Sequence, residues 1–480
     1  MKHSENMKHT DNLNHDKPFT RIEKDLLGEQ AVLATALYGI QTQRASQNFN
    51  ITGVPISHFP DLIKALAMVK AAAAKANYQH GLLSQEKLSA ITEACADLIR
   101  GEHHEQFIVD LIQGGAGTST NMNANEVIAN IGLEKMGFEY GQYHHLHPNN
   151  DVNRSQSTND VYPSAARLAI VFAAKPLKEA IISLQHSLAA KGQEFSGILK
   201  MGRTQLQDAV PMTLGQEFNA FASDLGSETA RIEHACLQLC EVNLGGTAIG
   251  TGINAPKGYA SLATSELAEI SGLPVTLAED LIAASADMGA FITFSGALKR
   301  LSIKLSKLSN DLRLLSSGPR TGLGEINLPA MQPGSSIMPG KVNPVIPEAM
   351  NQTAFQVMGT DMTITMAAEA GQLQLNAMEP LIVYNLLNNA RMLEKSIRML
   401  DDLCIQGITA NEARCAQHVE NSIGIVTALV PHIGYENASR IAGHALLSGS
   451  GVADLVKQEK LLSDEELAAI LSPDTMVNNV

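Results

Sequence analysis

The chain has no tryptophan, and its aromatic residues make up only 4% of 480 positions. A sandwich rich in aromatic and β-branched side chains is thereby disfavoured. Alanine, leucine and methionine must fill the core, which suits packed helices. Cationic residues are also in deficit, with 35 Lys and Arg against 49 Asp and Glu, a net charge of −14. General nucleic-acid binding wants a basic face and is excluded. An anionic ligand would need a local cationic pocket, because the field of the whole chain repels it. Cysteine is scarce and scattered, at Cys95, Cys236, Cys240, Cys404 and Cys415. Cys236 and Cys240 stand one helical turn apart, but no second pair or histidine partner completes a zinc pattern. Free, buried thiols in a reducing cytoplasm are the expectation. No apolar run reaches membrane length, since "ARLAIVFAAKPL" carries Arg167 and Lys175, and the polar N-terminus holds no secretory signal.

What the chain does have is 45% hydrophobic residues, arranged largely at helical spacing. Its length exceeds one compact core and predicts several domains. Residues 1–20 contain a loose six-residue repeat (MKHSEN, MKHTDN, LNHDKP) with His3, His9 and His15. Without apolar anchors this reads as a disordered polar tail rather than a metal site. Structure is expected from about Arg21. "DLIKALAMVKAAAAKANYQHG" predicts a helix closed near Gly81, and "SQEKLSAITEACADLIRG" one capped by Ser84 and ended at Gly101. From about Ser164 the apolar stripes lengthen into four long helical stretches, and "SDEELAAIL" reads as a capped terminal helix. The expected organisation is an N-terminal domain over 21–156, a central long-helix bundle over 157–406 and a small helical domain over 407–480.

Four polar clusters interrupt the helices: "QGGAGTSTNMNANE" from Gln113, "HPNNDVNRSQSTNDVYP" from His147, "MGRTQLQDAVPMTLGQE" from Met201 and "GSSIMPGKVNP" from Gly334. The last is too dense in Gly and Pro for a helix interior. It is not a Walker loop, because five residues rather than four separate Gly334 from Gly340 and Val342 follows Lys341. Any one cluster alone reads as a turn or an N-cap. Together they offer short hydroxyl and amide donors and a few cations, with no metal-ligand set and no Cys–His nucleophile pair. Helices are expected after each, so their free N–H groups would face a common guest. A small carboxylate-bearing molecule fits such donors.

These motifs resemble the aspartase/fumarase superfamily, over nearly the whole chain from "RIEKDLLGE" at Arg21 to the terminal helix. "GSSIMPGKVNP" is similar to its signature loop. "QGGAGTS", "QSTNDVYP", "GRTQLQDAVPMTLGQE", "GEINLP", "AAEAGQLQLNAMEP" and "GITAN" resemble the aspartase branch, whereas "HPNNDVN" and "GIQTQRA" look more like fumarases. The resemblance implies an all-α-dominated, three-domain chain with a long central helical bundle. It implies reversible deamination of L-aspartate to fumarate and ammonium through an aci-carboxylate intermediate. The implied general base is Ser335, with Ser336 as its rival. Lys341 and Asn343 would bind a carboxylate. Thr118, Ser157, Thr158, Asn159 and Thr204 would supply further donors, and Arg44 would contribute to carboxylate binding. For Thr118 and Ser157 a helix-capping role stands beside the binding one.

Gln205 carries the most information. Fumarases have His there, paired with a Glu that matches Glu348, and the pair handles protons for hydroxide departure. Ammonia leaves without such a donor, and Gln205 keeps a hydrogen bond but cannot shuttle a proton. Glu348 then has no His partner and is open to a structural role. His147 matches a residue of a second, non-catalytic anion site in fumarases, although the neighbouring acidic position is Asn150. The family assembles as a homotetramer whose active sites draw on three subunits. No organic cofactor is implied, and activation by a divalent cation such as Mg²⁺ is left open. The competing expectations are a fumarate hydratase and a catalytically inactive scaffold of the same fold.

Overall fold

The computed structural model describes residues 19–334 and 336–477. Helices dominate it, and the described residues also hold four two-stranded sheets. The chain divides into two compact units, one made of 19–166, 242–286 and 372–380, the other of 167–241, 287–371 and 381–477. The histidines of the polar tail, His3, His9 and His15, lie outside the described residues.

The first unit opens with an antiparallel hairpin, β1 (Thr20–Asp25) and β2 (Gly28–Leu33), in which Thr20 faces Leu33 and Asp25 faces Gly28. Helices α1 (Ile40–Asn48), α2 (Pro60–Gln79), α3 (Gln85–Arg100) and α4 (Thr118–Lys135) follow. Pro60 starts α2 at a position where its missing N–H costs nothing. Ser84 caps α3, its Oγ accepting from the Lys87 N–H, and Gly101 closes it in the left-handed region. α2 is apolar nearly all round, with Leu62, Ile63, Leu66, Val69 and a run of alanines buried. It packs against α3, α4 and the helix Tyr259–Ser271. Small alanines let these helices approach closely, and each buried Leu or Ile contributes about 1.5–3 kcal/mol.

α5 (Thr158–Glu194) begins in the first unit and continues into the second. The second unit adds the hairpin β3 (Leu199–Thr204) and β4 (Gln207–Thr213), then α6 (Leu214–Gly226) and α7 (Glu228–Leu239). One of the four long helical stretches expected from the sequence, "GQEFNAFASDLGSETARIEHACLQLCEVN" from Gly215, is therefore two helices, parted at Ser227. Helix Gly289–Leu315 buries Leu298, Leu301, Leu305, Leu308 and Leu312 at three- and four-residue spacing, one stripe of a 3.6-residue period. It packs against α6, α7 and the helix Val345–Glu369. Near the C-terminus a separate core gathers Val419, Ile425, Leu429, Ile441, Leu455 and Leu467 around Met201 of β3. The helix Asp464–Ile470 carries a complete capping box from Ser463 and Glu466.

Candidate active site

In the first unit, the polar clusters start two helices. α4 begins at Thr118, whose Oγ1 donates to the Gly115 carbonyl at 2.7 Å while the side chain stays exposed. Gly117, just before it, has φ of 91°, and a Cβ there would lie 2.5 Å from the buried Tyr162 ring. Only glycine meets both demands. At α5, Ser157 Oγ accepts from the Asn159 N–H at 3.2 Å, and Asp160 Oδ1 accepts from the Ser157 N–H at 2.9 Å. Ser157 thus caps its helix, whereas Thr118 does not: the N-cap of α4 is Gly117, which makes no side-chain cap, and the Thr118 hydroxyl is spent on the Gly115 carbonyl. The two helix starts are joined directly, since Asn121 Nδ2 of α4 donates to Thr158 Oγ1 of α5 at 3.1 Å. Free N–H groups and the positive ends of two helix dipoles meet there, an arrangement that attracts an anion.

Two buried charges lie beneath this junction. Lys70 of α2 has no exposed surface and donates to Asn121 Oδ1 at 2.7 Å, Asn153 Oδ1 at 2.8 Å and Gln156 Oε1 at 3.0 Å. Burial draws its ammonium below the ordinary lysine value, and the field of Asp160 opposes that shift. Asp160 is itself pushed up to about 6 by burial, against the hydrogen bonds from Ser157, Thr247 and Gly245. Its Oδ2 accepts from the N–H groups of Gly245 and Thr247 at 2.9 and 3.0 Å. Asn159 Nδ2 donates to the Ala248 carbonyl at 2.8 Å, and Asn243 Nδ2 returns a bond to the Asn159 carbonyl at 3.0 Å. A glycine-rich segment from Asn243 to Gly252 is thereby fastened beside Ser157–Asn159. Sequence reasoning passed over this segment and Lys70. The signals were there: four glycines in "NLGGTAIGTG", and a lysine on the apolar face of an alanine-rich helix.

The second unit carries the remaining candidates. Thr204 and Gln205 stand at the exposed tip of the β3–β4 hairpin rather than in a loop leading straight to a helix. The tip is a two-residue turn with Gln205 at φ 54° and Leu206 at φ 61°. Such turns favour Asn-Gly, and holding Gln and Leu there stores roughly 1–3 kcal/mol of strain per residue. In the signature loop, a side chain at Gly334 would overlap the Lys341 carbonyl, so glycine is required where the loop folds on itself. Lys341 is exposed and forms no ion pair among the described residues. Asn343, half-buried, accepts from the Val345 N–H at 2.9 Å, leading into the helix Val345–Glu369, whose first turn carries Glu348. Ser336 is exposed; Ser335 lies outside the described residues.

Arg44 sits elsewhere in the first unit. Its guanidinium forms a two-point pair with Asp25 of β1, at 2.8 and 3.0 Å. Arg44 and His147 line one cavity of about 730 Å³, together with Lys24, Ser119 and Glu126. His147 Nδ1 accepts from the N–H groups of Asn149 and Asn150 at 3.0 and 3.2 Å, so the ring caps its own turn. Among the described residues, Asp97, Glu102 and His103 are near enough to share a cation, but Arg100 pairs with both carboxylates and Lys135 with Asp97.

The family model described as "Lyase" matches residues 28–359, and the model "Fumarase C C-terminus" matches residues 425–478. The chain belongs to the aspartase/fumarase superfamily of lyases. Among curated relatives, it is 64% identical to aspartate ammonia-lyase of Pseudomonas aeruginosa over 459 residues, 95% of this chain and 97% of that protein. A solved fumarate lyase:delta crystallin from Brucella melitensis, bound to cobalt, superposes with a TM-score of 0.93 at 56% identity, covering 95% of this chain and 99% of that one. The class II fumarase of Schistosoma mansoni superposes with a TM-score of 0.91 at 35% identity, covering 96% and 100%. The helical fold expected from composition and motif is the fold observed.

Proposed function

We propose that the chain is a carbon–nitrogen lyase that deaminates L-aspartate reversibly to fumarate and ammonium. The observation that carries this reading is the junction of the α4 and α5 N-termini at Asn121 and Thr158. Ser157, Thr158 and Asn159 at the start of α5 and Thr118 at the start of α4 carry donors suited to a dicarboxylate, Thr118 once its hydroxyl leaves the Gly115 carbonyl. The substrate's carbon acid is weak, and its doubly charged aci-carboxylate must be stabilised strongly. Preorganised donors usually contribute more than any other effect to such catalysis, each worth on the order of 10²–10³ in turnover. Ser335 serves as general base on the signature loop. Lys341, an exposed cation six residues on with no ion pair among the described residues, and Asn343 bind a carboxylate; Thr204 and Gln205 complete the donor set. Gln205 at the fumarase histidine position supports ammonia loss over water loss, because an amide cannot deliver a proton to departing hydroxide.

The reading extends to a homotetramer with composite sites. Phe355, Met362 and Met366 stand 59%, 63% and 65% exposed on the helix Val345–Glu369. Their spacing of seven and four places them on one apolar face, which association would cover. No described helix is long and apolar enough to cross a membrane. The free, buried thiols fit a reducing cytoplasm.

Fumarate release from L-aspartate and from L-malate, with and without Mg²⁺, tests the proposal. Fumarate from aspartate alone, with equal ammonia, supports it. Fumarate from malate favours the hydratase and removes the leaving-group argument; no fumarate from either favours the inactive scaffold. Ser335→Ala should abolish turnover and leave the assembly intact by size-exclusion chromatography. Retention of most activity would take Ser335 out of the base role.

A further inference from the structure

The three bonds of Lys70 decide which way a chain of hydrogen bonds points. An ammonium has three N–H donors and no acceptor. Each amide facing Lys70 must therefore present its oxygen, and the three contacts at 2.7–3.0 Å satisfy all three donors. Turning the Asn121 oxygen toward Lys70 turns its NH₂ the other way. Those hydrogens go to Asn153 Oδ1 at 3.2 Å and to Thr158 Oγ1 at 3.1 Å. Thr158 Oγ1 is then an acceptor on its inner side. Its own O–H has no other hydrogen-bond partner among the described residues and remains to be given outward.

We propose that Lys70 and Asn121 are positioning residues that fix the polarity of the Thr158 hydroxyl, committing it to donate to a substrate carboxylate. The inference rests on the reading of Thr158 as a substrate ligand. It explains why a lysine occupies a fully buried position on α2, where leucine or alanine would pack without desolvating a charge. It also explains the amides: a carboxylate at position 121 would pair with Lys70 equally well, but its second oxygen would accept the Thr158 proton and turn the hydroxyl inward. A cation at the head of the chain polarises each following bond, so the hydroxyl presented to the substrate is a stronger donor than an isolated threonine.

Steady-state kinetics of aspartate deamination on Asn121→Asp, made in the native, Thr158→Ser and Thr158→Val backgrounds, tests this, with a thermal melt on each variant. Asn121→Asp should raise KM for aspartate about tenfold in the native and Thr158→Ser proteins, which keep the hydroxyl. In the Thr158→Val protein it should add nothing, because no hydroxyl is left to reverse. Lys70→Met, which frees the Asn121 amide to turn over, should follow the same pattern and serves where Asn121→Asp does not fold. Equal losses in all three backgrounds would mean a merely structural role and overturn the proposal. An unchanged KM in Asn121→Asp, with KM raised in Thr158→Val, would overturn it while leaving the reading of Thr158 in place. An unchanged KM in Thr158→Val would remove that reading, and the relay with it.

Discussion

Two sets of buried charge, Lys70, Asp160 and Glu126 in the first unit and Glu325 and Glu228 in the second, are held in opposite ways. In the first set, charges are held by neutral dipoles, although Asp97 of the same unit pairs with Arg100 and Lys135. Lys70 faces three amide oxygens, and Asp160 accepts from three backbone N–H groups. Glu126 accepts from the N–H groups of Gly39, Gln41 and Thr42 and from the Thr42 hydroxyl. In the second, Glu325 sits among Lys200 at 3.0 Å, Arg203 at 2.7 Å and His418 at 3.0 Å. Glu228 likewise faces Lys304 at 2.7 Å and Arg300 at 3.0 Å. The protonation equilibria follow. Burial pushes Glu126 up to about 7, aided by the charge of Glu23, although hydrogen bonds from the Thr42 hydroxyl and the Gln41 and Thr42 N–H groups oppose it. Burial also raises Glu325, but Lys200, Arg203 and His418 outweigh it and hold the carboxyl below the usual range. Dipoles fix direction without neutralising charge, which suits the loops around a ligand. Counter-charges neutralise, which suits a framework.

The largest effect expected from breaking this contrast is at Glu325. Glu325→Leu leaves Lys200 and Arg203 without their shared partner and should cost about 3–5 kcal/mol in urea denaturation. A loss under about 1 kcal/mol would mean that the cations find other partners, and the contrast would fail. Next comes the pH dependence of Glu126. Its folded value lies above the unfolded one, so its contribution to stability is complete below about pH 4.5 and is lost as pH rises to about 7. The stability of the native chain relative to Glu126→Gln should therefore fall by up to about 3 kcal/mol between those pH values. Glu325 has the opposite sign, its contribution being present above the ordinary glutamate value and lost as pH falls through its lowered one. A flat difference for Glu126→Gln would place its proton elsewhere. The smallest effect concerns backbone strain. The polar loop before α4 brackets its one non-glycine left-handed residue, Ala116, with Gly115 and Gly117, whereas the β3–β4 tip holds two bulkier residues, Gln205 and Leu206, with no glycine beside them. Leu206→Gly should gain up to about 1 kcal/mol, read as a small rise in the melting temperature. A loss would show that the leucine side chain, exposed in the single chain, is held by a contact in the assembly.

Helices were legible because their punctuation is local. Ser84, Gly101 and Ser463 mark helix ends by side chain and φ alone, and the structure places caps there. The cap at Ser157 was legible for the same reason; the one expected at Thr118 is absent, because α4 starts from Gly117. The β3–β4 hairpin was not, because Gln-Leu carries no turn signal and the strands draw their register from packing. Lys70 was hidden because its meaning lies in Asn121, Asn153 and Gln156, some 50–90 residues away in sequence. Arg44 looked free in "GIQTQRA" because its partner, Asp25, is set by the folding of the hairpin. A charged residue's availability depends on long-range partners, and spacing along the chain does not report them.

The segment from Asn243 to Gly252 is fastened almost wholly through its main chain: Asp160 takes the N–H groups of Gly245 and Thr247, and Asn159 takes the carbonyl of Ala248. The side chains of Ala248 and Ile249 are exposed and form no part of that fastening. Their side chains can therefore be exchanged without loosening the loop, which makes the segment a ready graft point for reshaping the neighbourhood of Asn159 while its scaffold stays fixed.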